Sequence, residues 1–207
     1  MNLIVINNFL NKKIFDKINS LQLEKVHKTQ IKVYPNLIIN KKIISNSCFD
    51  KKFLIELNKK YHSKAFNILK KVSPKKAKLY DYSVFNIVET GSHYSFPIHD
   101  DTPNKLLSGV IYLNPKKNLG TIFYDSNKKK LKIINWKKNK AIFFVREEKK
   151  TWHSYRGNKK ENRIVLVYNL MTNRIKDVYK IENKNYFIGF LRYKINPVLY
   201  KYFKFNF

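Results

Sequence analysis

In the segment YSFPIHDDTP, His99 and Asp101 are separated by one residue. In extended backbone such a pair projects to the same side, so both groups can grip one metal ion. A third ligand of suitable type stands well downstream, in TWHSYRG, where His153 directly follows a β-rich stretch. Two imidazoles and one carboxylate make the facial set that suits Fe(II) and leaves coordination positions open for reactants. The other three histidines, His27, His62 and His93, lie in no comparable context.

Two further residues extend this chemistry. Arg163 heads the apolar run RIVLVYNL, and a strand starting there places Arg163, Val165 and Val167 on one face. A guanidinium pointing into an aliphatic lining requires an anion, best a carboxylate that it holds through two charge-assisted hydrogen bonds. Upstream, in IYLN, a strand with Leu106, Ser108, Val110 and Tyr112 on its inner face would aim the Tyr112 hydroxyl at the same carboxylate. A lone His-x-Asp is a weak signal. Its combination with a later His, an Arg beyond it and an intervening tyrosine strand is far more specific.

The elements that must position these groups fall into two kinds. Residues 3–6 read as a strand and 11–21 as a helix. A second helix over residues 50–72 shows apolar spacing through Phe53, Leu54, Leu57, Tyr61, Ala65, Ile68 and Leu69, with Asp50 as its cap. After Pro74 the pattern changes to short runs rich in Val, Ile, Phe and Tyr, at 82–88, 106–113, 120–124, 131–134, 141–145 and 164–170. Such spacing predicts a β-sandwich or small barrel. The tail from Asn185 onward interleaves aromatics with basic residues and reads as helical up to Asn196 and again after Pro197. It is either a terminal helix packed on the domain or a contact with a membrane surface.

With these motifs in view, residues 82–171 resemble the 2-oxoglutarate/Fe(II) oxygenase superfamily, most closely its prolyl-hydroxylase-like branch. HDDTPNKLLSGVIYLNP is similar to that branch's metal pair and following strand, GTIFYD and AIFFV to its middle strands, and HSYRGNKKENRIVLVYNL to its distal His and cosubstrate Arg. The resemblance implies an α+β, mainly β chain with a double-stranded β-helix core, the jelly-roll or cupin-like arrangement. N-terminal helices would support it over 1–75, the core would occupy 80–172, and a helical tail 173–207, all in one domain. It implies Fe(II) held by His99, Asp101 and His153, 2-oxoglutarate held at its far carboxylate by Arg163 with Tyr112, and O₂ as oxidant. Hydroxylation of a C–H bond with release of succinate and CO₂ would follow. Two features depart from the family pattern. Asn86, His93 and Tyr94 occupy the region where relatives often carry a tyrosine, which leaves Tyr94 as a pocket candidate, and a glycine common before the central strand appears as Asn139 and Lys140.

Two alternatives share parts of this pattern. Alkylated-base demethylases have the same triad, but they carry a Tyr where this chain has Val88 and a second Arg where it has Asn169. A cupin-like, non-catalytic binding protein is the other, and the presence of every ligand together with the Arg argues against a vestigial site.

Composition bounds the rest. A 43% hydrophobic and 15% aromatic content over 207 residues excludes global disorder. The net charge of +29 suggests a polyanionic partner. Yet it is mostly Lys spread along a chain also rich in Asn and Ile, residues that share A/T-rich codons, so nucleic acid is a secondary expectation behind a small-molecule, peptide or glycan substrate. Cys48 stands alone, which excludes an internal disulfide and suits a reducing cytoplasm. No apolar run approaches the length of a membrane span.

Overall fold

The computed structural model describes residues 3–40 and 42–203, with residues 196–203 described as backbone only. Among them, twelve strands and five helices form. The strands are β1 (Leu3–Ile6), β2 (Ile31–Tyr34), β3 (Asn36–Ile39), β4 (Lys42–Asn46), β5 (Tyr82–Thr90), β6 (Ser95–His99), β7 (Lys105–Asn114), β8 (Thr121–Tyr124), β9 (Lys130–Ile134), β10 (Ala141–Phe144), β11 (His153–Arg156) and β12 (Arg163–Met171). The helices are α1 (Lys12–Asn19), α2 (Lys51–Val72), α3 (Pro74–Ala77), α4 (Ile175–Ile181) and α5 (Tyr186–Phe203).

From β5 onward the chain alternates between two antiparallel sheets. The larger has the order β1-β10-β7-β12-β5-β3-β4, with β2 also paired to β5; the smaller has the order β6-β11-β8-β9. Strands β5 to β12 thereby interleave as the double-stranded β-helix expected from the sequence, and β1 to β4 widen the larger sheet at its two ends. Two apolar clusters follow from strand alternation. Val88, Tyr112, Phe123, Ile142, Phe144 and Val165 meet between the sheets. Phe85, Ile87, Ile111, Leu166 and Tyr168 point the other way, into the layer beneath the helices.

Helix α2 closes that layer. The Asp50 carboxylate accepts from the Phe53 amide at 2.7 Å and so caps the first turn. Residues Phe53, Leu54, Leu57, Tyr61, Ala65 and Leu69 form its buried stripe, and each large side chain there contributes about 1.5–3 kcal/mol by leaving water. Of the predicted stripe only Ile68 is partly exposed.

Three expectations need correction. Strands β2, β3, β4, β6 and β11 were not predicted as strands. In β6, Pro97 interrupts the pattern, which a sheet tolerates because β6 is an edge. Leu106 does not share the inner face with Ser108, Val110 and Tyr112: the β7–β12 register shifts between Leu170 and Met171, and Leu106 joins the helix-side cluster. The tail does not break at Pro197 either, since the α5 backbone runs through it to Phe203 at the loss of one amide donor. Residues 204–207 lie outside the described residues.

Candidate metal centre

The three predicted ligands converge. His99 ends β6, His153 begins β11, and the two are directly opposed in the antiparallel register. Their rings lie 4.1 Å apart between centroids. One ligand atom from each of His99, Asp101 and His153 lies within 4.8 Å of the other two, the only such cluster of three among the described residues.

Backbone carbonyls set the histidine tautomers. His99 Nδ1 lies 3.0 Å from the Pro97 oxygen and His153 Nδ1 2.9 Å from the Thr151 oxygen. Each Nδ1 must therefore carry the proton, which leaves Nε2 with a lone pair for a metal. Burial, reinforced by the neighbouring His153, pushes His99 down to about 3, so its ring stays neutral. Burial alone would raise the Asp101 carboxyl. The Lys105 ammonium, with lesser help from the two histidine rings, outweighs it and holds the group well below the usual carboxylate range.

The carboxylate is gripped from both sides. Lys105 Nζ approaches Oδ1 at 2.5 Å, and the Ser108 hydroxyl donates to Oδ2 at 2.5 Å from the facing strand β7. Asp100 supports the site from its outer side. Its carboxylate accepts from the Lys149 amide at 2.7 Å and the Thr151 hydroxyl at 2.8 Å. Since Thr151 supplies the carbonyl that orients His153, Asp100 ties the two halves of the site together.

Arg163 opens β12 deep in the barrel and is 1% exposed. As predicted, Val165 and Val167 share its side of the strand and line the space between the sheets. Its guanidinium sits in an aromatic box, 4.0 Å from the Tyr155 ring centre, 5.4 Å from Trp136 and 5.7 Å from Tyr112. Among the described residues no carboxylate pairs with it, and its Nε is buried without a hydrogen-bond partner. Burial lowers its basicity, and burial also pushes the Tyr155 phenol up to about 12 despite the adjacent cation.

Tyr112 differs from expectation in one respect. Its ring stacks on Trp136 at 4.4 Å, but its hydroxyl is committed to the smaller sheet: it donates to Thr121 Oγ1 at 2.8 Å or to the Ile134 carbonyl at 3.3 Å, and accepts from the Thr121 amide at 3.0 Å. Tyr94 lies at the rim, 6.4 Å from the Tyr155 ring and 6.2 Å from Phe96. Phe96 reaches closer to the metal site, 4.2 Å from the His99 ring. It also borders a groove of about 300 Å³ shared with Ile98, Tyr124, Tyr155 and Arg156.

No family model matches the chain, and no curated protein matches it in sequence. Solved structures do. A prolyl-4-hydroxylase of Pseudomonas putida superposes with a TM-score of 0.53 at 9% identity, over 83% of this chain and 92% of the other. A Trichoplax adhaerens prolyl hydroxylase, solved with a peptide fragment of the hypoxia inducible factor oxygen degradation domain, gives 0.53 at 14% identity, over 84% and 85%. A viral collagen prolyl hydroxylase of Paramecium bursaria Chlorella virus-1, solved with 2-oxoglutarate, gives 0.52 at 13% identity, over 83% and 97%. The fold is that of the 2-oxoglutarate/Fe(II) oxygenases.

Proposed function

We propose that this protein is an Fe(II)- and 2-oxoglutarate-dependent oxygenase that hydroxylates a C–H bond of a peptide or small molecule. The observation that carries the reading is a two-histidine, one-carboxylate cluster and an uncompensated buried guanidinium in one barrel. The cluster matches the donor set that favours Fe(II). The orphaned Nε of Arg163, walled by aromatic rings rather than by acids, suits a carboxylate delivered by a ligand.

His99, Asp101 and His153 would hold the iron, and Arg163 the far carboxylate of the cosubstrate. When bound, these groups supply the oxidation of the substrate C–H bond, coupled to conversion of 2-oxoglutarate and O₂ into succinate and CO₂. The chain's own part is placement. The Pro97 and Thr151 carbonyls keep both imidazoles facing the ion, Ser108 fixes the carboxylate, and the packed layer of Tyr112, Trp136 and Tyr155 keeps water from the guanidinium. Tyr112 serves here as wall, because its hydroxyl proton is engaged by Thr121 and Ile134. A peptide bound to one neighbour supports a peptide or small molecule as acceptor. Nucleic acid is disfavoured by Val88 and Asn169, which stand where the demethylases carry Tyr and Arg.

Succinate formation from 2-oxoglutarate with Fe(II) tests the proposal directly. The wild type should turn over, and His99→Ala should be inactive while keeping its circular dichroism spectrum; equal turnover by the mutant would refute the site.

A further inference from the structure

Helix α5 carries apolar side chains on both of its sides, more than a helix that only covers a core requires. Its inward side is made of Tyr186, Gly189, Phe190 and Tyr193. Tyr186 meets the Tyr179 ring of α4 at 6.1 Å, and Gly189 presses so close to Tyr179 that a Cβ there would lie 2.2 Å from the ring. Arg192 fastens the helix to Glu148 at 3.1 Å. On the opposite side stand Phe187, Ile188, Leu191 and Ile195, all exposed, Phe187 at 75%. Their spacing of one, three and four residues places them along one stripe. The other exposed large apolar residues are scattered over β-strands, loops and α2.

Charge indicates what covers the stripe. Residues 173–207 contain eight Lys and Arg against one Asp and one Glu. Glu182, the one Glu, is buried between Lys76 and Arg146. Lys176, Lys180, Lys184 and Lys194 are exposed on or beside the two helices. Past Ile195 the sequence NPVLYKYFKFNF keeps mixing aromatic and apolar residues with Lys, the composition of chains that lie at a lipid headgroup boundary. No helix among the described residues is long and apolar enough to cross a membrane.

From the exposed apolar stripe and its cationic surroundings, we propose that α5 docks this protein flat on an anionic phospholipid surface. The apolar side chains enter the headgroup layer, and the lysines meet lipid phosphates. A second copy of the chain would set like charges against each other and is disfavoured on that ground.

Co-sedimentation of the full chain with phosphatidylcholine vesicles, with and without about 30% phosphatidylglycerol, tests this. We expect binding to the anionic vesicles, weakened by salt. The triple variant Phe187→Ser, Leu191→Ser, Ile195→Ser should bind roughly tenfold less well with its thermal midpoint little changed, because all three side chains stand on the exposed side of the helix. Three outcomes would overturn the proposal: no binding to either vesicle, equal binding by the triple variant, which would mean charge alone, or a wild-type dimer in light scattering that the triple variant abolishes.

Discussion

Removing a guanidinium from water costs several kcal/mol, whereas each desolvated cation–π contact returns about 2 kcal/mol at best. Of the three rings around Arg163 only Tyr155 lies at 4.0 Å, and Trp136 and Tyr112 are beyond 5 Å, so the box leaves a deficit. A ligand carboxylate would remove it. Arg163→Met should accordingly leave the ligand-free protein as stable or more stable by about 1–3 kcal/mol in urea unfolding, while 2-oxoglutarate affinity by calorimetry falls about 100-fold. Loss of stability in that variant would mean the cation is already compensated. His99, Asp101, His153 and Arg163 were legible from sequence because their types are rare and their order is specific. Ser108 and Lys105 were not, since a serine or lysine beside a strand has no signature until Asp101 is folded against it. Asn139 gains a reason the sequence withheld. It adopts a φ of 59°, a conformation asparagine tolerates better than most residues, and its side chain bonds the Leu10 amide and carbonyl at 2.9 and 2.7 Å, so it pins the N-terminal segment to the turn before β10.

Between elements, the strongest tie is ionic and was invisible in the sequence. Glu182, just after α4, meets Lys76 of α3 at 2.6 Å and Arg146, beyond β10, at 2.6 Å, with all three side chains at most 4% exposed. Arg146 Nε also donates to the Asp101 carbonyl at 3.1 Å, so the helical tail is anchored to the loop that carries Asp101. Glu182→Gln leaves two buried cations facing a neutral amide. It should cost about 3–5 kcal/mol, read as a lowered urea midpoint with unchanged slope. A drop below 1 kcal/mol would show that the cations are solvated after all. Long periodic elements such as α2, β7 and β12 were readable from their apolar spacing. Strands β6 and β11, which carry the two histidines, were not: four or five residues with a proline or a polar HSYR sequence give alternation too little length to register.

For the molecule as a whole, acid is the predicted weakness. His99 takes a proton near 6.5 in an unfolded chain but is held to about 3 in the fold, so between those values the unfolded state binds more protons and stability falls as pH falls. Asp101, depressed below its unfolded value, adds a loss in the same direction at lower pH. Metal-free protein should show a urea midpoint that declines steadily below about pH 6.5, and a flat profile down to pH 4 would contradict the burial of His99. A different consequence follows from the pairing of β6 with β11. A chain in which the smaller sheet has peeled open keeps only the two neighbouring donors of the HDD segment, and loses the third across the gap. The ion then belongs to the intact barrel alone, and free metal at about a hundred times its dissociation constant would favour that barrel by about 2.7 kcal/mol. Under the proposed iron site, metal supply would therefore set the lifetime of the polypeptide among proteases as well as its turnover.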